Sequence, residues 1–177
     1  MSPAISSGLL MLRLVAGLTI AGHGAQKAFG WFGGAGFART ASGFAQRGPQ
    51  PGGLWAAIAV LGELGGGLSV ATGFLIPVGA AGMVGAMVMA IAKVHWRNGF
   101  WNTKKGIEFP LQLLAAAVAL GLSGAGAYSL DTLLDLHLPA GIFLILALAA
   151  LVTDGVGLAL SRPAAPAAPA APPPFAA

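Results

Sequence analysis

A small set of polar side chains near the ends of apolar stretches could do chemistry: His23, Gln26 and Lys27, then His95 and Trp96, then Glu108 and Gln112. His23 lies three residues before Gln26 and four before Lys27, and Glu108 lies four before Gln112, so each set shares one helical face. Charges of both signs and two imidazoles meeting at one membrane level would form a polar pocket that exchanges protons or holds a polar head group. The alternative is that the same residues snorkel separately to interfacial water. Arg13 and Glu63 lie deeper, inside apolar runs, where an ionisable group costs roughly 2.5 to 3.5 kcal/mol at a helix centre unless it has a partner. At ~1.5 Å per residue Arg13 falls about 12 Å and Glu63 about 15 Å below the same boundary. They are predicted to form an ion pair that fixes helix docking, or else a proton or ligand site at that depth.

The elements that must position these residues are transmembrane helices. Hydrophobic residues make up 56% and charged residues 8% of the 177-residue chain, with a mean hydropathy of +0.82, too little polar surface to cover a globule in water. Apolar stretches at about 5–24, 54–74, 77–94, 107–124 and 138–160 each approach the ~20 residues needed to cross a bilayer core. The predicted fold is therefore all-α: an integral membrane bundle of four core transmembrane helices with a fifth C-terminal helix, its apolar run ending at Asp154 before GVGLAL. Residues 1–160 form the bundle. The Ala/Pro-rich run from 161 to 177 has no means of packing and reads as a disordered tail. MSPAISSGLLML lacks a basic leader, so the first span is expected to be retained.

Lys27, Arg39, Arg47, Lys93, Arg97, Lys104, Lys105 and Arg162 fall on one side of a five-span topology, whereas 73–77 and 125–137 hold no Lys or Arg. This predicts a multi-pass protein of the bacterial cytoplasmic membrane with its N-terminus outside and its C-terminus cytoplasmic. Trp31, Trp55, Trp96 and Trp101 share the basic side, at headgroup level. GFARTASGFAQRG places Phe37, Thr40, Ala41 and Phe44 on one helical face, giving either a short interfacial helix or a mobile loop before GPQPGG. Glycines at three- and four-residue spacing, Gly62 and Gly66 and then Gly79, Gly82 and Gly85, suit close helix packing within the chain or at a homo-oligomer face.

Several functions are excluded or disfavoured. The net charge of +4 comes from loops, so nucleic acid is not a partner. Cysteine is absent, so any thiol relay must come from another protein. A haem between His23 and His95 would need both rings at one depth on facing helices, and zinc would need a third good ligand, so no metal site is predicted. His137 reads as a helix-entry residue before Pro139, and Ser129 or Asp131 as a cap for DTLLDLHL.

Together these landmarks resemble the DoxX family of small bacterial membrane proteins. The motifs are an arginine in the first span followed by HGAQKAFG, a glutamate followed by LGGG, the segment HWRNGFWN, GIE opening the fourth span and GAGAYSLD after it, over roughly Leu9 to Leu134. The matched positions are Arg13, His23, Gly24, Lys27, Glu63, His95, Gly99, Glu108, Ser129, Leu130 and Asp131. The resemblance implies a four-helix membrane bundle and an association with oxidoreductase assemblies, including a quinone-reducing thiosulfate oxidoreductase subunit and a complex linked to oxidative-stress defence. The fifth apolar stretch and the tail depart from that pattern.

On these grounds the expected role is a membrane subunit of an oxidoreductase or quinone-linked complex. His95 or His23 would exchange protons, Lys27 would stabilise negative charge and Glu108 would orient an imidazole, while Gln26, Gln112 and Trp96 would hold a quinone head group. The expected partners are the lipid bilayer and a soluble or membrane redox protein. Two other readings stay open: a small permease with Arg13 and Glu63 on its pathway, and a scaffold whose polar residues only set helix register.

Overall fold

The computed structural model describes residues 2–161, and the tail expected from Arg162 onward lies outside them. Every regular element among the described residues is a helix. Helix α1, Pro3–Phe29, starts where the Ser2 side chain accepts a hydrogen bond from the Ile5 amide and stops at Gly30, whose φ of 75° is left-handed. Helix α2, Gly36–Arg47, is the short amphipathic helix that the GFARTASGFAQRG pattern allowed. Helix α3 runs Gly52–Thr72 with a π-helical turn at Leu61–Gly65, and α4 runs Ile76–Asn98 with a second π turn at Ile91–His95. Helices α5, Glu108–Ser123, α6, Leu130–Leu133, and α7, Ala140–Ala159, complete the chain.

Four of these, α1, α3, α4 and α7, are long and apolar enough to cross a membrane. The C-terminal stretch, whose apolar run breaks at Asp154, is a full 20-residue helix with the highest hydropathy of the four, 2.3. The apolar run at 107–124 gives only the 16-residue α5, about 24 Å of rise. Its entry is taken by the preceding loop: the Ile107 amide donates to the Gly99 carbonyl at 3.0 Å and the Glu108 amide to Phe100 at 2.9 Å.

Helix α4 is the central element, packed by α3, α5 and α7, while α1 lies along α3. Ile20, Val70, Ile76, Met83, Leu120 and Phe143 from these five helices form the core. Small residues bring the backbones together, since without a hydrophobic drive between helices in lipid, close packing must supply the association. A Cβ on Gly24 would stand 2.3 Å from the Leu64 backbone nitrogen, and one on Gly67 would stand 2.5 Å from that of Ala21. Across the next seam, Cβ atoms on Gly62 and Gly66 would meet the carbonyls of Gly82 and Gly79 at 3.0 and 2.9 Å. The glycine spacing therefore serves packing within the chain. Gly24→Ala is expected to lower stability by about 1 to 3 kcal/mol, because backbone rather than a pliable side chain blocks the added methyl. A thermal melt in detergent indistinguishable from that of the unmodified protein would contradict that packing.

The antiparallel register of α1 and α3 follows from the same contacts, Gly17 with Ala71, Ala21 with Gly67 and Gly24 with Leu64. In that register Glu63 is level with Ala25, and Arg13 is level with Leu75 in the α3–α4 turn, a separation of about 18 Å along the bundle. The Arg13–Glu63 ion pair expected from depth alone is thus corrected: α1 rises well past the α3–α4 turn, so the two helices do not share a boundary from which depths can be counted.

Candidate functional site

The two charges seek different partners at different levels. Arg13 is 1% exposed and donates to the backbone carbonyls of Ala125 and Tyr128 in the loop between α5 and α6. Asp131 follows this loop in α6. Its carboxylate accepts from the amides of Leu75 at 2.7 Å and Ile76 at 3.1 Å, which caps the start of α4 from outside that helix. Ser129 caps α6 by accepting from the Thr132 amide at 3.2 Å, as its position suggested. GAGAYSLD is therefore the segment that ties α1 to the α3–α4 turn.

Glu63 lies in the π turn of α3, 5% exposed along its side chain, and pairs through both carboxylate oxygens with the Lys27 ammonium near the end of α1. A π turn inserts an extra residue and swings the helix face locally, a distortion that clusters at functional sites. The pair forms part of the wall of a cavity of about 590 Å³ bounded by α3, α4 and α7. Gly62, Gly66, Gly79, Gly82 and Gly85 line that space along the packed helix seams, Trp55, Phe74 and Met89 give it apolar surface, and Phe44 of α2 also lines it. Leu61 and Val94 at its edge are 70% and 61% exposed, so the cavity opens sideways between helices. Lys93 borders it towards the basic end of the bundle.

Asp154 reaches the same cavity from α7. It is 7% exposed, and its Oδ2 has no hydrogen-bond partner. In the sequence it looked like the polar end of a span. The signal was present all the same: a single acid within the most apolar helix carries the same insertion cost that drew attention to Glu63.

His23, Gln26, His95 and Glu108 find local partners. His23 and Gln26 hydrogen-bond to each other at 3.1 Å, and the His23 ring stands edge-on to Phe109, centroids 5.9 Å apart. Nδ1 of His95 lies 2.7 Å from the Lys105 carbonyl. Glu108 accepts from the Asn102 amide at 2.8 Å, so it braces the 99–108 loop. Gln112 and Trp96 are exposed. Of the polar set read from the sequence, Lys27 alone lines the large cavity. No group of three or more His, Cys, Asp or Glu that could hold a metal ion occurs among the described residues.

A helical membrane bundle with a half-buried ion pair in the wall of a laterally open cavity defines the general class. The DoxX family profile matches residues 8–96, about half of the chain, and the chain belongs to the DoxX family. That match includes Arg13, His23, Lys27, Glu63 and His95 and stops before Glu108, Asp131 and Asp154. Searches of the curated proteins and of the solved structures return no match.

Proposed function

We propose that this chain is the membrane-embedded subunit of an oxidoreductase assembly and holds a quinone-class lipophilic molecule in the cavity between α3, α4 and α7. The observation that carries this reading is an ion pair of the half-buried Lys27 with the buried Glu63, set in the apolar wall of a cavity open to the side of the bundle. The residues suit such a guest. Trp55 and Met89 offer apolar surface to a flat ring, and the lateral opening lets a long tail stay in lipid. A bound quinone would supply reversible redox chemistry that the side chains themselves lack. Lys27 would donate a hydrogen bond to a carbonyl oxygen at the wall, and Glu63 would hold or release a proton beside it. Excluding water strengthens both interactions.

Electrons would come from a partner at the basic end, where Trp96 and Trp101 are exposed, and oxidative-stress defence is the setting we assign. The placement of Lys and Arg supports the bacterial cytoplasmic membrane, with the N-terminus outside and the C-terminus cytoplasmic. A C-terminal green fluorescent protein fusion should then fluoresce, and a dark, correctly inserted fusion would reverse that topology. A permease built on Arg13 and Glu63 together loses its site, because Arg13 is engaged by loop carbonyls well away from Glu63.

Protein purified from native membranes should release a quinone on solvent extraction, and Glu63→Gln should lower the recovered amount roughly tenfold, as expected for loss of a charged hydrogen-bonding partner. Folded wild-type protein that releases only phospholipid would overturn the proposal.

A further inference from the structure

We infer that Asp154 is a second binding residue in the cavity, so that the ligand carries two polar groups on one compact head, one for Lys27–Glu63 and one for Asp154. The inference rests on the reading that the cavity is the ligand site. It deepens that reading by stating what kind of head the site selects.

Asp154 and Glu63 approach the cavity from different walls. Gly62 of α3 packs on Gly82 of α4, and one turn further towards the basic end Gly85 of α4 packs on Ala150 of α7. Glu63 on α3 and Asp154 on α7, one turn beyond Ala150, therefore border the same α4 stretch from two of its neighbouring helices. A Cβ on Gly85 would stand 3.8 Å from the Asp154 Oδ2, which is itself occluded, and Asp154 meets the cavity with the rest of its small exposed surface.

The energetics require a partner for that oxygen. Lys27 is taken up by Glu63, and Asp154 makes no salt bridge among the described residues. A buried polar atom left unsatisfied costs about 1 to 3 kcal/mol, and α7 is the most apolar span of the bundle, a poor place for an idle acid. Thr153, the neighbouring hydroxyl, donates to the Ala149 carbonyl within its own helix at 2.9 Å and does not turn to Asp154. A hydroxyl on the ligand would meet the Asp154 carboxyl where it lines the cavity, while the ligand's opposite polar group meets Lys27 and Glu63. A head with one polar group would leave one wall unsatisfied. The site thus discriminates by hydrogen-bond count, which separates analogues more sharply than apolar shape does.

The test uses full-length protein in lipid nanodiscs and two probes of equal tail length, decylhydroquinone kept reduced and 4-decylphenol, which differ by one ring hydroxyl. Wild-type protein should bind the hydroquinone roughly tenfold more tightly, the equivalent of one buried hydrogen bond. Asp154→Asn should bring the two affinities together by weakening the hydroquinone. In parallel, a hydrophobic carbodiimide, which attacks carboxyl groups in apolar surroundings, should modify Asp154 in the wild type, and saturating hydroquinone should protect it. If Asp154→Asn keeps the full preference, or Asp154 is modified equally fast with hydroquinone bound, the role of Asp154 is overturned while the cavity remains the ligand site. If the wild type binds neither probe, the quinone-class reading falls, and this one with it.

Discussion

Arg13→Met is expected to prevent recovery of folded protein, with a loss of about 3 to 5 kcal/mol, the usual result of removing one member of a buried charged network. Arg13 holds the carbonyls of Ala125 and Tyr128, and the same loop delivers Asp131 to the start of α4. Without the guanidinium the Ala125 and Tyr128 carbonyls lose their donor, and the loop that delivers the Asp131 cap to the central helix loses its anchor on α1. Asp131→Ala should be milder, about 1 to 3 kcal/mol, because it frees the Leu75 and Ile76 amides but leaves Arg13 on its carbonyls. Gly73 offers no relief, since a Cβ there would collide with the Arg13 guanidinium at 2.4 Å. Adding Glu63→Leu to Arg13→Met should not rescue the fold. Sites about 18 Å apart with no shared partner add independently, whereas true partners would compensate. A double variant as stable as the wild type would mean that the pair forms after all. The measurement is monodisperse recovery and thermal melting in detergent.

The second large effect concerns Lys27 and Glu63. Lys27→Met leaves Glu63, 5% exposed, with an uncompensated charge and should destabilise the bundle by about 3 to 5 kcal/mol. Glu63→Leu should do less damage, because the Lys27 side chain is 34% exposed and its ammonium can turn towards the interface. The double variant Lys27→Met with Glu63→Leu should recover most of the fold, since apolar residues often replace a buried pair without loss. It should nevertheless bind a decyl-tailed benzoquinone about 10- to 100-fold more weakly, the value of a charge-assisted hydrogen bond. Stability restored together with full binding would reduce the pair to a docking device for α1 and α3.

How much of this could be read from the residues depends on what each pattern encodes. Length and apolarity specify where membrane helices lie, whereas the amphipathic spacing around Phe37 and Phe44 allowed α2 without deciding between a helix and a mobile loop. The glycine spacing specified which faces meet, but the register of α1 against α3 arises from several close contacts acting together. Counting residues from assumed boundaries therefore matched Arg13 to the wrong acid. The π turn at Leu61–Gly65 is likewise invisible to a 3.6-residue period, although it presents Glu63 to Lys27. His95 and Glu108 were correctly placed near one end of the bundle. Their engagement with Lys105 and Asn102 depends on the path of the 99–108 loop, which composition does not dictate. Asp154 was legible as a costly acid but not as a wall of the cavity, because the packing of α7 on α4 brings it there.

The central claim is that the ligand sits in the cavity between α3, α4 and α7, and photo-crosslinking tests it most directly. A decyl-tailed benzoquinone with a diazirine near the ring, bound to the full-length protein in nanodiscs and irradiated, should attach to cavity residues such as Ile58, Met89 and Thr153, and excess unmodified benzoquinone should suppress the labelling. Labelling confined to the His23, His95 and Glu108 level, with the cavity residues untouched, would contradict the account.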